Sequence, residues 1–269
     1  MDYFEILIYP ASEEKREILT SLFAEENFES FVETENELHA YIQVNNYNRE
    51  KVEQICDQFE VKFTEKRIPD QNWNAEWEKN FEPVLIAGKC YIRAPFHAPR
   101  PDYPYEIIIE PKMSFGTAHH ETTAMMIEVM MQMDFRGKKV LDMGCGTGIL
   151  AILADKMGAS EVAAIDNDSW AFSNAMENIK KNHASAVTVK LGDIDAAGTG
   201  YHILLANINR NVLVSHLPEY SKRINKGELL MSGFYEEDLA MIRQAAELNA
   251  FVFDRNVTKN RWVAARFIK

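Results

Sequence analysis

The chain has 269 residues, a length that suits one medium domain joined to a small one. Hydrophobic content of 46% and charged content of 26% are those of an ordinary folded chain, and no run approaches the roughly 18 apolar residues of a membrane span. The net charge of −12 argues against a direct nucleic-acid partner, whose phosphates need clustered Lys and Arg, and is compatible with a basic protein partner. Cys56, Cys90 and Cys145 are odd in number and form no C-x-x-C pair, so neither a disulfide framework nor a metal site is expected. That cysteine usage, with no basic n-region in Met1–Glu5, predicts a cytoplasmic protein.

In chain order, residues 3–9 read as a strand, ended by Pro10. Ser12 then caps a helix with Glu13 and Glu14 in its first turn and an apolar stripe of Ile18, Leu19, Leu22 and Phe23. Strand-like runs follow at 28–33 and 38–45, and Asn45–Asn48 is a turn cluster. A second helix shows Val52, Ile55, Cys56 and Phe59 at helical spacing, and a strand at 60–66 completes the set. The order β-α-β-β-α-β is the ferredoxin-like split βαβ, so residues 1–66 form a small α+β domain. Across 67–82, Trp73, Trp77 and Phe81 recur every four residues and predict a linker helix whose one apolar face either packs on the neighbouring domain or lets the small domain swing about a hinge at Pro69-Asp70. From 83 to 269 short strands at 84–87, 90–94 and 105–110 precede a helix at 120–133. Strands at 139–143, 161–165, 187–191, 202–206 and 228–232 then alternate with helices at 149–157, 168–182, 211–224 and 236–248. Two final strands, 250–257 and 261–268, have no helix between them. This is an α/β parallel sheet covered by helices and closed by an antiparallel hairpin. Met125, Met126, Met130, Met131 and Met133 read as core filling.

The chemistry concentrates at Val140-Leu141-Asp142-Met143-Gly144-Cys145-Gly146-Thr147-Gly148-Ile149, where an apolar strand enters a glycine-rich turn and then a helix. Glycines there allow positive φ and close approach of a ligand to the backbone. The spacing is G-x-G-x-G after an acid. Ile149 stands where a dinucleotide fingerprint needs its last glycine, and no Gly-Lys-Ser/Thr follows to make a P-loop. Asp166 ends the next strand, where a carboxylate can accept hydrogen bonds from ribose hydroxyls. Asp168 reads as the cap of the following helix, whose inner face is expected to be Phe172, Ala175, Met176 and Ile179. Asp193, after the third strand, is read either as an adenine contact or as a turn residue.

With these residues the chain resembles the class I S-adenosylmethionine-dependent methyltransferases, through Leu141–Gly148, Asp166 and Leu204-Leu205-Ala206-Asn207-Ile208. Ser114-Phe115-Gly116-Thr117-Ala118-His119-His120-Glu121-Thr122-Thr123, with Trp73–Phe81 and Ala206–Ile208, is similar more narrowly to the ribosomal protein L11 methyltransferases, the PrmA family. Lys112 and Ala118 stand where that segment usually has glycines. The resemblance covers essentially the whole chain. It implies S-adenosyl-L-methionine as methyl donor, and ribosomal protein L11 as the substrate, bound by the N-terminal domain and trimethylated on lysine ε-amines and, in many family members, on the N-terminal α-amine. Carried over by position, the family's donor-binding residues fall on Thr123, Gly144, Asp166 and Asn207. Gly146, Asp193, Phe115 and Thr122 join them as candidates, the last as a donor to the methionine carboxylate at a helix N-terminus.

Asn207 is the candidate catalytic residue: its side-chain oxygen, or the Ala206 carbonyl, can accept a hydrogen bond from the attacking amine. Related amino-methylating enzymes carry Asn-Pro-Pro-Tyr/Phe here, whereas this chain reads Asn207-Ile208-Asn209-Arg210. Without the stacking aromatic, a flexible lysine is a better acceptor than a flat amide or base. Adjacent His119 and His120 lack metal-ligand spacing and read as loop structure, so no metal is expected. A monomer is expected. The competing readings are a methyltransferase for another amine or amide, and a non-catalytic ribosome-assembly module.

Overall fold

The computed structural model describes residues 2–68, 82–110, 116 and 118–269. Phe115, Thr117 and the Trp73/Trp77/Phe81 stripe therefore lie outside the described residues. The chain divides into two compact units, Met1–Asn80 and Phe81–Lys269.

In the first unit, strand β1 (Tyr3–Tyr9) pairs antiparallel with β3 (Leu38–Gln43) and β4 (Lys62–Ile68), and β2 (Ser30–Glu33) pairs with β3. The strand order β2-β3-β1-β4 is that of the ferredoxin-like fold. Helix α1 (Glu13–Glu25) starts at Ser12, whose hydroxyl accepts from the Lys15 N–H, and α2 (Arg49–Gln58) starts at Asn48, which accepts from Lys51. Leu19, Phe23, Val52 and Cys56 fill the core with Ile6, Ile8, Leu38 and Ile42. Ile18, expected in the apolar stripe, is exposed. Arg16 is the buried residue instead, because its guanidinium donates to the Ala11 and Glu35 carbonyls and to Glu33. The unit holds 19 of the 41 acidic residues and 8 of the 29 basic ones, so it carries −11 of the net −12.

The second unit is built on a seven-stranded sheet. Its strands are β8 (Lys139–Met143), β9 (Glu161–Asp166), β10 (Val187–Leu191), β11 (Tyr201–Asn207), β12 (Ile224–Tyr235), β13 (Val252–Lys259) and β14 (Trp262–Ile268). They lie in the order β10-β9-β8-β11-β12-β14-β13. All pairs are parallel except those of β14 with β12 and β13, the closing hairpin. Alternate residues of one strand feed opposite cores, as the period of two requires. Val140, Ile203 and Leu205 pack with helices α3 (Glu121–Met130) and α4 (Ile149–Lys156), and Leu141, Leu204 and Ala206 with α6 (Arg210–Arg223) and α7 (Leu239–Leu248). The same core as α3 holds residues of a three-stranded sheet, β5 (Val84–Ile86), β6 (Cys90–Arg93) and β7 (Tyr105–Ile108).

Helix α5 (Ser169–Lys181) presents a different inner face from the expected one. Met176 is half exposed, while Ala171, Asn174, Ala175 and Asn178 are buried. The asparagines are inside because their amides pair with backbone: the Asn178 amide donates to the Thr147 carbonyl, and Asn182, the C-cap, both donates to and accepts from Ile108. No described helix is long and apolar enough to cross a membrane.

Candidate active site

The site is built at the carboxyl ends of the central strands, where open α/β sheets bind ligands. Register sets it. Leu205 pairs with Asp142 and Ala206 with Met143, so the next residues, Asn207 and Gly144, emerge side by side. Ile165 pairs with Met143, which brings Asp166 to the same edge. Four of the candidates are thereby gathered: Gly144, Gly146, Asp166 and Asn207.

Gly144 has φ +72°, and a Cβ on it would run into Ile208 Cγ2. Only glycine fits this bend, because Ile208 approaches it that closely. The Gly144 and Cys145 N–H groups donate to the Ile165 carbonyl at 2.8 and 3.1 Å, fastening the turn to β9. Beneath it lies Asp142, fully buried, with Oδ2 accepting from Ala151 N–H at 3.1 Å in α4. Burial pushes the Asp142 carboxyl up to about 7; the Ala151 bond opposes that shift and the nearby Asp166 charge adds to it. Burial likewise pushes the Cys145 thiol up, so it is no nucleophile at neutral pH.

Asp166 uses both carboxylate oxygens on backbone: Oδ2 accepts from Gly146 N–H at 2.8 Å and Oδ1 from Asp168 N–H at 3.0 Å. Each oxygen retains acceptor capacity for a ligand hydroxyl. Asp168 caps α5 as its position predicts, accepting from Trp170 and Ala171. Asp193 accepts from its own turn at Ile194 N–H, 2.6 Å, and stands 3.4 Å from His216 Nε2.

On the other side, Asn207 Nδ2 donates to the Thr123 hydroxyl at 3.2 Å. Asn207 Oδ1 is buried and has no hydrogen-bond partner among the described residues. Thr123 is fully buried in the first turn of α3. Thr122 is buried too, but its hydroxyl and N–H both face His120 Nδ1, the cap of α3. His119 meets the Glu82 carbonyl at 2.9 Å, a structural role for that histidine. Two aromatic residues escaped the sequence reading. Trp262 packs on Tyr235 with ring centroids 4.0 Å apart and meets His120 edge-on at 5.0 Å. A single tryptophan at the turn of the closing hairpin was their only signal. Such faces suit the methylenes and cationic head of a lysine.

The residues fit a nucleoside-bearing methyl donor on two counts: a strand-end carboxylate, Asp166, with acceptor capacity for hydroxyls, and a buried polar oxygen, Asn207 Oδ1, without a partner among the described residues. A sequence profile of the ribosomal protein L11 methyltransferase (PrmA) family matches residues 8–269. Ribosomal protein L11 methyltransferase of Phocaeicola vulgatus is 42% identical, the match covering 100% of this chain and 99% of that protein. That of Porphyromonas gingivalis is 44% identical over 93% of this chain and 90% of its own length. Among solved structures, the ribosomal protein L11 methylase of Lactobacillus delbrueckii subsp. bulgaricus matches with a TM-score of 0.65 at 25% identity, covering 70% of this chain and 98% of that one. A glycine bend, a strand-end acid and an asparagine at one sheet edge, in a chain matched along nearly its whole length, leave one conclusion: the chain belongs to the ribosomal protein L11 methyltransferase family and is an S-adenosylmethionine-dependent methyltransferase.

Proposed function

We propose that this enzyme methylates lysine ε-amines, and the N-terminal α-amine, of ribosomal protein L11, and that Asn207 receives the attacking amine. The observation that carries the reading is Asn207 Oδ1, buried and unpartnered at the strand end beside Gly144. Leaving such an acceptor unmet costs about 1–3 kcal/mol, a cost a substrate N–H removes.

When bound, S-adenosylmethionine supplies a methyl group already activated on a sulfonium sulfur, open to in-line displacement by an amine nitrogen. Gly144 and Gly146, both at positive φ, shape the turn, Asp166 has acceptor capacity for ribose hydroxyls, and Thr123 fixes the Asn207 carboxamide. Oδ1 then holds the amine by one of its hydrogens, which aims the nitrogen lone pair at the methyl group. Holding reactants in line is worth roughly 7–11 kcal/mol at best. Deprotonating a free lysine near neutral pH costs about 4 kcal/mol, and a dry site beside a positive charge lowers that. Phe115 and Thr122 join the donor site in this reading, and Asp193 the adenine end.

The N-terminal residues 1–66 recognise the protein substrate and do no chemistry. Their unit carries nearly all the net negative charge, which favours a basic protein over a phosphate backbone. The test is to incubate the purified enzyme with L11 and isotopically labelled donor and to map the modified amines. Label on L11 lysines is the expected outcome. Label absent from L11 but present on another amine or amide substrate would overturn the substrate assignment.

A further inference from the structure

We propose that Thr147 and Asn178 are positioning residues that tie the glycine turn to the backbone of Glu110 at one end and of Gly116 at the other, so that donor affinity depends on this tie. The proposal rests on the donor-site reading above, which places Gly144 and Gly146 of that turn at the donor.

Both ties meet on one residue of the turn. At the near end, Asn178 Oδ1 accepts from Glu110 N–H at 2.8 Å, while Asn178 Nδ2 donates to the Thr147 carbonyl at 2.9 Å. One fully buried carboxamide thus spans the end of the β7 segment and the glycine turn. At the far end, the Thr147 hydroxyl donates to the Gly116 carbonyl at 2.6 Å. Thr147 is itself fully buried, so no water competes for its hydroxyl. Gly116 has φ +103°, and a Cβ on it would sit 2.9 Å from Thr147 Oγ1. The glycine is there because the threonine approaches that closely. Asn174 reinforces the joint: its Oδ1 accepts from Asn178 Nδ2 at 3.1 Å. A salt bridge from Lys181 to Glu110 holds the same end from outside. Asn182 offers an internal contrast. It pins Ile108 by two bonds and donates to the Asn178 carbonyl, yet among the described residues it makes no bond to the turn itself.

The decisive experiment is calorimetric titration of the full chain with S-adenosylhomocysteine, alongside steady-state kinetics in the donor. Thr147→Val keeps the shape and deletes the hydroxyl. It should raise the dissociation constant and the donor KM about tenfold, the scale of one lost hydrogen bond, with kcat at saturating donor changed by less than about threefold. Thr147→Ser restores the hydroxyl and should bring both back to within about twofold of the parent. Asn182→Ala should lower the thermal midpoint and leave the dissociation constant unchanged. A Thr147→Val protein that binds like the parent, or a Thr147→Ser protein as weak as Thr147→Val, overturns the proposal. If the parent itself fails to bind S-adenosylhomocysteine, the donor-site reading fails instead, which is a distinguishable result.

Discussion

Asn207 donates through its amide to the hydroxyl of Thr123, 84 residues earlier in the chain, and its carboxamide oxygen is buried without a partner among the described residues. Strand β11 supplies one partner and the first turn of α3 the other, so the geometry of the amine acceptor is set by helix packing against the sheet.

Asn207→Ala removes the acceptor. The expected loss is about 10–100-fold in kcat, the range for hydrogen bonds to a group carrying charge, with S-adenosylhomocysteine affinity lowered less than kcat. Thr123→Val keeps the acceptor and frees its rotation, so kcat should fall by less. Single-turnover kinetics at saturating donor separate the two effects. Equal kcat for Asn207→Ala and the parent would remove Asn207 from the reacting centre.

Asp166→Ala should weaken donor binding by roughly 1.5–3 kcal/mol, the scale for losing charge-assisted hydrogen bonds. The same carboxylate also organises Gly146 and Asp168, so part of that loss is a loosened turn. Comparing Asp166→Asn with Asp166→Ala by calorimetry apportions it. An unchanged dissociation constant in both variants would exclude the ribose role.

Asp142 makes stability pH-dependent with a definite sign. Its folded value of about 7 lies above its unfolded value, so the folded protein binds an extra proton between the two. Stability therefore falls as pH rises from about 4 toward 7, then levels off, with the buried charge costing on the order of a few kcal/mol above that range. Asp142→Asn can still accept from Ala151 N–H without the charge. Its thermal midpoint should exceed the parent's at pH near 8, and the gap should close as pH falls toward about 5. A gap independent of pH would show that Asp142 is ionised throughout.

The division of labour between the units is tested by truncation. A chain beginning near Asn80 keeps Gly144, Asp166, Thr123 and Asn207 together and should still bind S-adenosylhomocysteine, while losing methylation of L11. Full activity of the truncated chain would put substrate recognition in the catalytic unit.

The glycine bend and Asp166 were legible in the sequence because their chemistry is local: a strand end, a turn and a carboxylate at fixed spacing. The two domain folds were legible from periodicity alone. What escaped depends on partners far apart in the chain. Asn178 and Asn182 look like surface residues of an amphipathic helix until the backbone of Glu110 and Ile108 meets them, and this rotates α5 away from the face its apolar residues implied. Arg16 displaced Ile18 from the first core for the same reason, since loop carbonyls satisfy its guanidinium. Trp262 and Tyr235 pair across β14 and β12, a register no local spacing reveals.

Methylation of ribosomal protein L11 by this enzyme is read most directly by intact-mass and peptide mass spectrometry of the large-subunit proteins from cells with and without the gene. L11, alone among those proteins, should lose mass in whole methyl groups when the gene is absent, with the loss mapped to lysine side chains and the N-terminus. An L11 of identical mass in both strains, with another protein losing its methyl groups, would contradict it.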